Sequence, residues 1–168
     1  MAGAAVTVRA EEALARLRGM EDRGGDLAPV LRAFGQYMLG SIERNFASGG
    51  RPTAWEPLKL ATKVAWHTRR SSWWSKGGGG MTAKGRAAWE GRKPLTDTGR
   101  LRRSIQVAEV TPRSVTIGTN LVYAAIHQFG GLAGRGRKVR IPARPYLVFQ
   151  EEDVRRAEEM LLAYLAGG

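Results

Sequence analysis

Two histidines, His67 and His127, and four carboxylates in the middle of the chain, Glu56, Glu90, Asp97 and Glu109, are the side chains that could move a proton or hold a metal. With no cysteine, thiolate nucleophiles, thiolate metal sites and disulfides are excluded. The remaining acids fall mostly on terminal segments, at positions suited to solvent. Asp97 is accounted for as a helix cap. His127 sits in an apolar segment, where a packed and hydrogen-bonded imidazole is the expectation, and nothing near it in sequence supplies a nucleophile. Neither Gly-x-Ser-x-Gly nor His-Glu-x-x-His occurs. Gly134-Arg135-Gly136 has the glycines of an anion nest, but it is not a G-x-G-x-x-G turn after a clear strand and lacks a Gly-Lys-Ser/Thr ending. The expectation is a protein that is not an enzyme, with no catalytic, cofactor or metal residues.

Recognition of negative charge is better supplied. The net charge is +12, and residues 51–144 carry nineteen Lys/Arg against four Asp/Glu, whereas the rest of the chain carries eight against eleven. Such a field suits a polyanion, an acidic protein surface or the contents of a nucleoprotein machine. Arg100, Arg102, Arg103, Arg135, Arg137, Lys138 and Arg140 are the cations expected to face an acidic partner or DNA. In residues 66–93, Trp66, Trp73, Trp74 and Trp89 are interspersed with cations around four consecutive glycines, Gly77 to Gly80. Aromatics among cations can stack on bases and neutralise phosphates. Tryptophans also anchor protein interfaces, and that role is preferred for Trp73, Trp74 and Trp89. A DNA- or RNA-binding protein using this segment is the alternative.

The elements that must position these groups follow from periodicity. At 168 residues and 43% apolar, the chain reads as one domain, 1–168, with a mobile Gly/Trp/basic excursion at about 66–93 and a basic arm at about 132–140. Ala4–Arg9 suggests a strand, and Glu11–Met20 a helix broken at Gly24-Gly25. Leu27, Val30, Leu31, Phe34, Met38, Ile42 and Phe46 form one apolar stripe on a long helix. Trp55 beside Pro57 is expected to pin the following loop to the core. Asp97 or Thr98 starts a short helix after Gly99, with Leu101 and Ile105 inward. Gln106–Val110 and Ser114–Thr119 alternate as antiparallel strands, joined by a turn at Thr111-Pro112-Arg113. Residues 122–129, including Tyr123, read as a helical turn, and Pro142 and Pro145 stiffen the segment before a final amphipathic helix from Glu151 to Leu165. No apolar run is long enough for a membrane span and no signal segment precedes the first helix, so a soluble protein is expected.

In chain order, Phe46, Trp55-x-Pro57-Leu58, Thr62, Leu95-Thr96-Asp97-Thr98-Gly99-Arg100-Leu101-x-x-Ser104-Ile105, Ile117-Gly118-Thr119, Tyr123-Ala124, His127-Gln128-x-Gly130 and Ile141-Pro142-Ala143-Arg144-Pro145-Tyr146-Leu147 form a series. The series resembles the virion-morphogenesis, or tail-completion, proteins of Mu-like and P2-like tailed phages. It covers most of the chain and is weakest over 66–93. The resemblance implies an α+β fold, with a small antiparallel β-sheet packed against a long helix and a C-terminal helix, and flexible basic loops. It also implies a structural role at the neck or head-proximal end of the tail, in head–tail joining. Further expectations are a homo-oligomeric ring, hexamer favoured, neighbouring neck and tail proteins as partners, and non-specific contact with DNA in the channel. Such a protein resides in the virion after assembly in the host cytoplasm and needs no membrane.

Overall fold

The computed structural model describes residues 11–68, 71–75 and 80–167. The strand expected at Ala4–Arg9 lies outside them, as do Arg69, Arg70, Lys76 and the first three of the four consecutive glycines. The fold is α+β, and its described residues pack as two compact units: those up to 41 with 106–118 and 149–167, and those of 42–105 with 119–148.

The first unit contains α1 (Glu11–Gly25), the start of α2 (Ala28–Ser48), the strands β1 (Gln106–Val110) and β2 (Val115–Gly118), and α7 (Glu151–Ala166). On α2 the stripe buries Val30, Phe34 and Met38. The hairpin pairs antiparallel, with Gln106 opposite Gly118 and Val110 opposite Val115, and a bulge between Val107 and Glu109. It lies close to α2 because position 35 is glycine: a Cβ there would stand 2.9 Å from Val107 Cγ2 and 3.0 Å from Val115 Cγ2. α1 packs on α7, where the Arg23 guanidinium donates to Leu165 O at 3.0 and 2.6 Å, covering a carbonyl that the helix end leaves unpaired. At the other end of α7, fully buried Asp153 accepts from Gln150 N at 2.9 Å, within a capping box, and from Ser41 Oγ at 2.8 Å.

The second unit takes the end of α2, with Ile42 and Phe46 buried, then α3 (Leu60–Thr68), α4 (Ala83–Glu90), α5 (Arg100–Arg103), α6 (Ala124–Phe129), β3 (Gly131–Ala133) and β4 (Val139–Ile141). Its core is aromatic. Phe46 meets Trp55 edge-on, with centroids 5.6 Å apart, and Tyr146 at 5.5 Å. Trp55 Nε1 donates to Pro145 O at 2.9 Å, so Trp55 does pin its loop.

Two segments hold elements that periodicity does not reveal, and one local expectation is corrected. The stretch 66–93, irregular by sequence, holds the end of α3, a 3-10 turn at Ser71–Trp73, a bridge between Trp74 and Met81, and α4. Both helices are short, nine and eight residues, and the start of α4 is set by Thr82, whose Oγ1 accepts from Gly85 N at 3.1 Å. The basic arm at 132–140 is a paired hairpin, β3 with β4, in the register Gly131 to Ile141 and Ala133 to Val139. Asp97 does not cap α5. The N-cap is Gly99, with φ 69°, and Thr98 Oγ1 accepts from Arg100 N at 3.2 Å.

Candidate functional site

Within the second unit, the residues that carry the motif series build a strap and an open groove beside it. The strap is the extended run from Pro142 to Val148. Gln128 on α6 holds it: Oε1 accepts from Tyr146 N at 3.0 Å and Leu147 N at 3.1 Å, while Nε2 donates to Leu147 O at 3.1 Å. Asn45 Nδ2 donates to Tyr146 O at 3.0 Å, and the Tyr146 hydroxyl donates to Ala124 O at 3.2 Å. Gly130 lets the chain turn back onto the strap. Its φ is +74°, and a Cβ would stand 2.8 Å from Ala143 N.

Arg144 belongs to the strap but points its charge inward. It is 6% exposed, and its guanidinium donates to the carbonyls of Glu56 at 3.0 Å and Pro57 at 3.4 Å. Burial pulls its pKa down, against the opposing pull of the Glu56 charge. His127 is half-buried; burial first, then the Arg144 charge, lowers its pKa, and its Nδ1 has no hydrogen-bond partner among the described residues. Tyr123, 40% exposed, meets the His127 ring edge-on at 5.9 Å. Burial raises the pKa of Tyr146, with a smaller contribution from Tyr123.

Arg144, His127 and Tyr123 line one wall of a groove of about 890 Å³. Leu58, Ala61, Ala65 and Leu95 give it apolar surface, and Arg92, Lys93 and Arg100 make its rim cationic. The loop from Gly91 to Gly99 is fastened from both sides. Arg92 lies over the Trp66 ring, 3.3 Å from its centroid, and pairs with Asp97 at 3.2 Å. Trp66 Nε1 donates to the same Asp97 oxygen at 2.5 Å, and Lys93 donates to Ala47 O. Asp97 is therefore a latch for the loop. Leu101 is buried and Ile105 half-buried, and Ser104 Oγ lies 2.6 Å from Thr119 Oγ1.

The remaining predicted site residues scatter. Trp73 and Trp89 pack around fully buried His67, with ring centroids 4.7 and 4.8 Å away, and Trp74, 39% exposed, donates from Nε1 to His67 O at 3.2 Å. Arg102 pairs with Glu43, and Arg103 donates to Thr98 O at 2.9 Å. Arg135, Arg137, Lys138 and Arg140 sit exposed around the β3–β4 tip. Pro142 is half-buried and Pro145 exposed. Sequence reasoning assigns no individual role to Gln128, Arg144 or Arg92, although the first two lie inside the motif series, and it groups Trp66 only with the aromatics of 66–93.

The groove has cationic donors and apolar surface. Among the described residues, no cluster of three or more His, Asp and Glu could hold a metal ion, and no helix is long and apolar enough to cross a membrane. The arrangement suits the capture of a segment that carries both apolar and acidic side chains.

Residues 6–166 match the phage virion morphogenesis family. The chain is 36% identical over 144 residues to the Mu-like prophage FluMu G protein 2 of Haemophilus influenzae, covering 86% of this chain and 82% of that protein. It is 30% identical over 150 residues to the tail completion protein S of Escherichia phage P2, covering 80% of this chain and 96% of that one. No solved structure matches.

Proposed function

The chain belongs to the phage virion morphogenesis family, and on that premise we propose that it is a non-enzymatic tail-completion component acting as a homo-oligomeric ring, a hexamer, at the neck or head-proximal end of the tail. One observation carries the oligomer. The β3–β4 hairpin exposes an apolar side chain on each face, Leu132 at 59% and Val139 at 54%, and Phe129 at the preceding helix end is 77% exposed. A two-stranded ribbon is marginal alone, and uncovered apolar surface beside open strand edges marks a contact site. Covering both faces of such a ribbon calls for neighbours on either side, which a ring supplies.

In this reading the rigid strap and groove hold the subunit's shape. The hairpin tip then directs Arg135, Arg137, Lys138 and Arg140 toward neighbouring neck and tail proteins or the DNA in the channel. Assembly in the host cytoplasm places the finished ring in the virion. The test is electron microscopy of the purified chain together with particles made with and without it. Ring-shaped class averages, and tails that fail to join filled heads unless the protein is added, are expected. A monomer at all concentrations, or normal particles without the chain, overturns the reading.

A further inference from the structure

Arg144 is a buried cation whose hydrogen bonds go to carbonyl oxygens alone; the Glu56 carboxylate acts on it electrostatically but forms no ion pair. A guanidinium out of water is stabilised by a matched anion, and the open groove beside Arg144 is where one can arrive. Arg100 on the same rim is exposed and has no carboxylate partner among the described residues, and the nearby His127 Nδ1 also lacks a hydrogen bond. What enters must bring both apolar and acidic groups.

The chain itself carries such a surface. At 100° per residue, Glu151, Val154, Glu158 and Leu162 fall on one third of the α7 circumference. Val154 is 48% and Leu162 67% exposed, and Glu158 has no ion-pair partner among the described residues. The opposite face is the one that buries Asp153 and half-buries Ala157, Met160 and Tyr164. The charges of the two units match this picture. The unit that contains α7 carries eight Lys/Arg against eleven Asp/Glu, and the unit that contains the groove nineteen against four. Two copies therefore attract through unlike units and repel through the two basic ones.

We propose that the Glu151–Leu162 face of α7 on one copy seats in the Arg144 groove of a second copy, with Val154 and Leu162 on the apolar wall and Glu158 toward exposed Arg100, in the field of the buried Arg144 charge. The contact is head-to-tail, the kind that closes into a ring, and the inference rests on the ring reading above.

The experiment measures the assembly state of the full chain by light scattering and sedimentation velocity, with three charge variants and one cysteine mixture. Glu158→Lys and Arg100→Glu should each weaken assembly by about tenfold or more, and their combination should restore it to within a few-fold of the unchanged protein. Both positions are exposed and make no side-chain bond that folding needs. Because the chain has no cysteine, a Leu162→Cys protein mixed with an Ala61→Cys protein reports the contact cleanly, forming a mixed disulfide dimer that neither gives alone. An unchanged protein that assembles while the charge variants assemble equally well and no mixed disulfide forms overturns this contact and leaves the ring. Self-crosslinking of Leu162→Cys also overturns it, since that requires a two-fold contact through α7. An unchanged protein that stays monomeric removes both readings.

Discussion

At the scale of single residues, Gln128 and His127 make different contributions from adjacent positions. One Gln128 side chain satisfies two strap N–H groups and one carbonyl. Gln128→Ala should cost about 1–3 kcal/mol, because water reaches these half-buried groups only in part. In thermal unfolding that is roughly 2–4 °C per kcal/mol for a chain of this size. Gln128→Glu keeps both acceptor bonds and removes the donor, so it should lie between the two; equal destabilisation in both variants would mean that the strap is held by packing. His127 is tested by pH. Its folded pKa lies below the unfolded value of about 6.5, so the unfolded chain binds the extra proton first as pH falls. Its contribution is present in full above about pH 6.5 and is lost as pH drops through the lowered folded value. Urea midpoints of the unchanged protein should therefore decline from pH 7.5 to pH 5.5 more steeply than those of His127→Gln, and parallel declines would remove this assignment.

At the scale of elements, legibility in the sequence depends on where each element's stabilisation comes from. The α2 stripe, the β1–β2 pair and the acid-led start of α7 are local signals, and the structure has all three, with the bulge between Val107 and Glu109 interrupting the alternation on β1. The α6 segment reads as a helical turn and is one. By contrast, α3 and α4 bury little except His67 and Gly85, so their information lies in contacts such as that of His67 with Trp89, which is distant in sequence. The groove is hidden for the same reason: its walls come from residues 58–66, 92–101 and 123–144, and only the fold brings them together. Asp97 shows the limit of local rules, since a good capping residue is used as a latch between Trp66 and Arg92. The helix that sequence does not reveal offers its own test. Thr82→Ala removes the α4 cap and should cost about 1 kcal/mol, with hydrogen exchange accelerated over Ala83–Glu90 and Trp89 emission shifted to the red. Unchanged exchange there would show that ring packing around His67 sets the helix without its cap.

At the scale of the whole molecule, the chain separates what folds it from what it presents outward. The strap, the aromatic core and the Asp97 latch use their polar groups internally, while Arg135, Arg137, Lys138 and Arg140 form no ion pair among the described residues and stand exposed. A cluster of like charges on a two-stranded ribbon does nothing for stability, and its repulsion is tolerated because solvent screens it. Replacing all four with serine should therefore leave the unfolding free energy within about 0.5 kcal/mol of the unchanged protein. If the tip faces DNA in the proposed ring, the same variant should weaken binding to duplex DNA and flatten its dependence on log salt by about 0.9 for each phosphate that is no longer neutralised. A stable variant whose DNA binding keeps its salt slope, and whose particles still form, would assign the tip to neither DNA nor assembly. A stable variant that keeps the slope but yields particles without joined tails would instead place an acidic protein surface against the hairpin. Folding, DNA affinity and particle formation are thus read from one substitution set, and only the last two are expected to change.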